Sequence, residues 1–209
     1  MEVGIIDYGM GNLRNVQKAL EHIGIHARIS ASPDSLAAAN GLVLPGVGAF
    51  GDAMRNLRAA DLVGLIQERV AAGVPLLGIC LGMQLLFESS TEMGRHEGLG
   101  ILAGHVVRFS GAHKVPHIGW NQLDVNPEGA QDPILRGIPD HSYAYFVHSY
   151  YVVPAKPACV LTTTAYGVDF ASMVGLGNVY GAQFHPEKSQ EVGLRVLENF
   201  AAVVERAGA

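Results

Sequence analysis

Along the first half of the chain, short uninterrupted apolar runs alternate with stretches whose apolar residues recur every three or four positions. Val3–Asp7 reads as a buried strand, and Leu13, Val16, Leu20 and Ile23 follow at helical spacing. Ala27–Ile29 is a short second strand, and Ser32–Ser35 carries a helix start signal. Gly41–Leu44 forms a third strand. Asp61 is placed to cap a helix whose stripe is Leu62, Leu65, Ile66 and Val70, with Gly73 stopping it. Val74–Ile79 is a fourth buried strand, and Met83–Phe87 begins a helix after it. Buried strands alternating with helices predict a parallel sheet covered on both faces.

The second half changes character. Ile101–Phe109, Tyr143–Val153, Val160–Ala165, Ala171–Val174 and Val179–Phe184 read as strands joined by Gly, Pro and Asn turns. Gly175–Asn178 is a hairpin turn, and a helix from about Gln190 to Arg206 closes the chain. The expected fold is therefore α/β: a mixed, mainly parallel central sheet flanked by helices, with antiparallel β additions. No repeat or linker divides it, so residues 1–209 are expected to form a single domain. Ser89–Gly98 reads as the most exposed stretch.

Composition narrows the function classes. At 209 residues the chain can build one full core, and 49% apolar with 16% charged residues describes an ordinary folded protein. A net charge of −5 with scattered Lys and Arg argues against a nucleic-acid surface. No leader and no bilayer-spanning run is read, and the two cysteines, Cys80 and Cys159, suit a reduced, cytoplasmic setting. Two thiols exclude a Cys-rich zinc site, and no H-E-x-x-H spacing occurs, so neither a metal nor a cofactor is expected.

Gly78-Ile79-Cys80-Leu81-Gly82 has the G-x-nucleophile-x-G pattern of a nucleophile elbow, with a buried strand before it and a helix after it. The turn is strained, so the residues two before and two after the nucleophile must leave room for neighbouring backbone. A thiol at a helix N-terminus is biased toward thiolate, and the Leu81 N–H is aimed at a developing oxyanion. A nucleophile needs a base and the base an orienter. Gln183-Phe184-His185-Pro186-Glu187 supplies both: in an extended segment His185 and Glu187 share a side. Cys159, ahead of Val160-Leu161, reads as a small core filler.

Gly46-Val47-Gly48-Ala49-Phe50-Gly51 matches G-x-G-x-x-G literally. It follows the third strand, Pro45 intervenes, and no acidic residue ends a strand near twenty positions on, so a dinucleotide fingerprint is disfavoured. The better reading is a flexible backbone loop that faces Cys80 and completes the oxyanion hole.

Taken together, Pro45-Gly46-Val47-Gly48, Gly78–Gln84 and His185-Pro186-Glu187 resemble the class I (triad) glutamine amidotransferases. Ile6–Leu13, Gly48–Met54, Val115–Asn121, Tyr145–Tyr150 and Phe184–Ser189 narrow the resemblance to their branch that forms the glutaminase subunit of imidazole glycerol phosphate synthase. These blocks span essentially the whole chain. The resemblance implies that Cys80 attacks the glutamine amide, His185 shuttles protons and Glu187 orients it. Gly46, Val47, Gly48, Leu81, Gln84, Ser149 and Tyr150 would surround the substrate. It further implies that ammonia passes to a (β/α)8-barrel cyclase partner in histidine biosynthesis, with Trp120, Asn121, Tyr145 and Lys188 near the subunit interface. By itself Trp120 is more commonly a core residue, although the turn Ile118-Gly119 suits a presented edge. His117 and His148 receive no catalytic role. The rival readings are an ammonia donor of another pathway, set apart by its loop sequence, and a non-catalytic module that keeps the fold.

Overall fold

The computed structural model describes residues 1–127 and 129–208. β1 (Glu2–Ile6), β3 (Gly41–Gly46) and β4 (Leu76–Cys80) are the apolar runs of the first half, and nearly every residue in them is buried. Strands covered on both faces lose the alternation of a half-exposed strand, which is why these segments are continuously apolar. β2 (His26–Ser30) flanks β1 at the sheet edge and is half exposed. The four pair in parallel as β2-β1-β3-β4, and β13 (Val179–Ala182) adds to β4, also in parallel. Beyond β13 the pairing turns antiparallel through β12 (Asp169–Leu176), β11 (Val160–Ala165), β8 (His117–Val125) and β9 (Ser142–His148).

Two apolar cores sandwich this sheet. On one side α1 (Leu13–His22) and α6 (Gln190–Ala207) bury Val16, Leu20, Val196, Leu197 and Phe200 against Val3, Ile5 and Phe184. On the other, α2 (Pro33–Ala37), α3 (Phe50–Ala59), α4 (Leu62–Ala71) and α5 (Leu81–Leu85) pack Leu36, Phe50, Leu57, Ile66 and Leu85 against Ile6, Leu42 and Leu44.

Several sequence expectations are corrected. Beside the large sheet stands a four-stranded one, β10-β7-β5-β6, made of β5 (Phe87–Ser90), β6 (His96–Glu97), β7 (Leu102–Arg108) and β10 (Tyr150–Pro154). Tyr143–Val153 is thus two strands in different sheets, parted at Ser149, whose carbonyl accepts from the Phe109 N–H at 3.0 Å. Alternation along a chain does not reveal which sheet a residue joins. The helix after Cys80 stops at Leu85, and Phe87 opens β5. Asp61 makes no capping bond; it takes a left-handed turn (φ 55°) that reverses the chain between α3 and α4. The last parallel strand ends at Ala182, leaving Phe184 outside it. Ser89–Gly98 is not a wholly exposed loop: Ser90 is fully buried, His96 and Glu97 pair with β5, and the Glu92 carboxylate accepts from the Phe50 N–H at 2.7 Å.

Candidate active site

Cys80 is the last residue of β4 and Leu81 the first of α5, so strand becomes helix with no intervening loop. The turn forces Cys80 to φ 56° and ψ −110°, a conformation that costs a residue with a β-carbon about 1–3 kcal/mol. The flanking glycines follow from packing. A β-carbon on Gly82 would overlap the Leu44 carbonyl oxygen, and one on Gly78 would sit 2.7 Å from the Gly82 backbone. As the first residue of α5, Leu81 has an N–H with no acceptor within the helix.

The segment after β13 brings the imidazole to this thiol. The His185 N–H donates to the Tyr145 carbonyl at 3.0 Å, and buried Ser189 donates through Oγ to the His185 carbonyl at 2.7 Å. Glu187 does not share an extended strand with His185; Pro186 starts a 3-10 turn, Pro186–Lys188, that curls Glu187 back. His185 Nδ1 and Glu187 Oε1 lie 2.8 Å apart, both side chains almost wholly buried. Nδ1 is therefore occupied, and Nε2, buried and without a conventional hydrogen-bond partner, is left for the Cys80 thiol. Burial alone would depress His185, but the adjacent Cys80 thiol and the Glu187 carboxylate outweigh it and lift the imidazole to about 9.

Above the thiol opens a cavity of about 360 Å³. It gathers Cys80 and Leu81 from the elbow, Val47 and Gly48 from the glycine loop, Gln84 from α5, and Ser149 and Tyr150 from the crossing between sheets. The literal G-x-G-x-x-G run is thus a wall of the thiol's pocket rather than a turn behind the first strand. Gly46 does not line the cavity: a β-carbon there would lie 2.6 Å from the Tyr8 hydroxyl and 2.9 Å from Leu81 Cβ. His185 and Glu187 are not on the cavity wall. The Gln84 amide donates to the Tyr150 carbonyl and to Gln183 Oε1, both at 3.0 Å.

Three further side chains received no role from the sequence. Glu92 puts a carboxylate on the cavity wall, brought there by its bond to the start of α3. Tyr8 donates to the Pro45 carbonyl at 2.9 Å and braces the glycine loop from below; burial and then the nearby Cys80 raise its hydroxyl. His148 lines the cavity and is bonded to His117. Tyr8 and His148 fell in the blocks Ile6–Leu13 and Tyr145–Tyr150 without a role of their own, and nothing local signalled Glu92.

On the outer surface Trp120 is 47% exposed and Tyr143 56%. Trp120 lies across from Tyr145 in the β8–β9 ladder, with ring centroids 6.0 Å apart, and Lys188 Nζ sits 5.9 Å from the Tyr145 ring. Trp120, Tyr145 and Lys188 form one patch, so the core reading of Trp120 fails. Asn121 is not part of it, because successive strand residues face opposite sides; its amide donates to the Ala165 carbonyl at 3.0 Å.

A thiol on a strained elbow, a carboxylate-bound imidazole and a backbone-lined cavity define a cysteine amidohydrolase site. The class-I glutamine amidotransferase family model matches residues 4–204, and the chain belongs to that family. It is 52% identical over 206 residues to imidazole glycerol phosphate synthase subunit HisH of Moorella thermoacetica, covering 99% of this chain and 97% of that one. The subunit of the same name from Aquifex aeolicus is 52% identical over 207 residues, covering 99% of each. A crystal structure of a glutamine amidotransferase superposes with a TM-score of 0.77 at 22% identity, covering 97% of this chain and 98% of that one, and shares the fold. Among the described residues no helix is long and apolar enough to cross a membrane.

Proposed function

We propose that this chain is the glutaminase subunit of an imidazole glycerol phosphate synthase and that Cys80, His185 and Glu187 perform the hydrolysis. The observation that carries the reading is Cys80 on the strained elbow beside a buried imidazole whose Nδ1 lies 2.8 Å from the Glu187 carboxylate. With the proton of the pair held by His185, Cys80 Sγ attacks the side-chain amide carbon of glutamine. The oxyanion is received by the Leu81 N–H and the Val47–Gly48 backbone. His185 gives its proton to the leaving nitrogen, the C–N bond breaks, and ammonia departs from a glutamyl thioester. Water, deprotonated by His185, cleaves the thioester to glutamate and restores the thiol. Glu187 keeps Nδ1–H fixed, so Nε2 does both transfers.

Substrate selection follows from the wall. The Ser149–Tyr150 backbone and Gln84 border the space for the substrate chain, and the Glu92 carboxylate suits the α-ammonium group of glutamine. Ammonia is passed to a (β/α)8-barrel cyclase docked on the Trp120, Tyr145 and Lys188 patch. An exposed aromatic pair beside a cation is a fitting anchor for such an interface.

The test is ammonia release from glutamine, with and without the barrel cyclase and its nucleotide ligand. Wild-type chain with cyclase should release ammonia and Cys80→Ala should not, while Trp120→Ala should weaken association and leave the melting temperature unchanged. Ammonia release by Cys80→Ala at the wild-type rate would remove the thioester mechanism. An unchanged affinity of Trp120→Ala would remove the docking face.

A further inference from the structure

β8 and β9 place His117 directly opposite His148, and both imidazoles are buried, 3% and 6% exposed. They belong to a continuous row of hydrogen bonds. Asn121 Nδ2 lies 3.3 Å from His117 Nε2, His117 Nδ1 lies 3.1 Å from His148 Nε2, and His148 Nδ1 lies 2.8 Å from the Tyr150 carbonyl oxygen. Both ends fix the direction of every proton. The Tyr150 carbonyl can only accept, so His148 carries its proton on Nδ1. The Asn121 amide cannot turn over, because its Oδ1 accepts from the Gln122 N–H at 2.9 Å and Nδ2 donates to the Ala165 carbonyl. Its second N–H therefore points at His117 Nε2, which must accept, and His117 donates from Nδ1 to His148 Nε2.

Only two neutral imidazoles satisfy the whole row. A proton added to either ring sets two donors against each other. The surroundings agree: Phe109, Phe146 and Phe170 pack around the pair, and Tyr166 stacks on His117 at 4.0 Å. Burial drives His117 down to about 4 and His148 down to about 3.

The row ends on the atom that holds Gln84. The Tyr150 carbonyl accepts from His148 and from the Gln84 amide, whose other N–H bonds Gln183. We infer that His148, held by His117 and Asn121 as the neutral Nδ1–H tautomer, is a positioning residue for glutamine: it fixes the Tyr150 carbonyl and with it the Ser149–Tyr150 and Gln84 wall. This rests on the reading that the cavity takes glutamine. It assigns the pair no proton transfer and leaves His185 as the proton carrier.

The geometry supplies a discriminating pair of variants. In His148→Asn the amide nitrogen falls near the place of Nδ1 and keeps the bond to Tyr150. In His148→Gln it falls near Nε2 and loses that bond. For the full chain assayed with the cyclase, His148→Asn should raise the KM for glutamine less than His148→Gln does. His148→Gln should raise it roughly tenfold, the scale of one lost hydrogen bond to a buried carbonyl, with kcat little changed. Independently of activity, nitrogen-detected NMR of histidine-labelled wild-type chain at neutral pH should show both rings neutral and protonated at Nδ1. An Nε2–H tautomer or an imidazolium at either ring, or a wild-type KM in His148→Gln, would overturn the inference. A wild-type enzyme that releases no ammonia from glutamine would instead fail the reading of the cavity, while the tautomers still decide the hydrogen-bond row.

Discussion

At most positions, exchanging alanine for glycine costs stability; at Cys80 the sign should invert. With φ 56° and ψ −110°, any β-carbon at this residue is strained by about 1–3 kcal/mol. Glycine is free of that strain and pays instead about 0.5–1 kcal/mol of extra backbone entropy. Cys80→Ala and Cys80→Gly both lose the thiol, so its packing cancels between them. The middle of each range leaves Cys80→Gly more stable than Cys80→Ala by about 1 kcal/mol, or about 2–4 °C in melting temperature for a chain of this size. Gly64 provides the control: it lies in α4, has ordinary backbone angles, and a β-carbon there meets nothing within 4 Å. Gly64→Ala should stabilise by roughly 0.5–1 kcal/mol. Urea midpoints and thermal melts of the three variants and wild type, without partner, read both signs. If Cys80→Ala equals or exceeds Cys80→Gly, the elbow stores no such strain.

Three further outcomes follow. Gly82→Ala drives a β-carbon into the Leu44 carbonyl, a backbone atom that cannot yield, so the fold should lose about 3 kcal/mol or more and glutaminase activity with it; an unchanged urea midpoint would contradict the packing. His185, raised to about 9, contributes stability that is complete below its unfolded value near 6.5 and is lost as pH rises through about 9. kcat/KM for glutamine should fall over the same alkaline limb, and a limb centred near 6.5 would show the imidazole unperturbed. His117 and His148 act in the opposite sense. As pH falls below about 6.5 the unfolded chain takes up protons that the folded one refuses, so stability should drop by up to about 1.4 kcal/mol per pH unit for each ring. Unfolding midpoints of wild type and His148→Asn between pH 6.5 and 4 check this, and parallel slopes would refute it.

What the chain alone determined was whatever depends on near neighbours. β1, β3 and β4 announced themselves as apolar runs because strands covered on both faces have no polar side to show. The elbow was legible because its glycine-flanked pattern is local, with Gly78 demanded by the Gly82 backbone four residues on, and His185 and Glu187 are two positions apart; that the Leu44 carbonyl demands glycine at 82 only the fold shows. The tertiary structure decided everything that depends on distant residues. The same alternating pattern runs across Ser149 whether the chain stays in one sheet or crosses to another, and only strand pairing separates β9 from β10. Glu92 reaches the cavity by binding the start of α3, forty-two residues back. His117 and His148, thirty-one residues apart, could have been any two buried histidines. The β8–β9 register made them neighbours, and the fixed donors and acceptors at either end then determined where each proton lies. A single chain position carries no record of the atom opposite it, so side-chain chemistry was readable in the sequence and protonation was not.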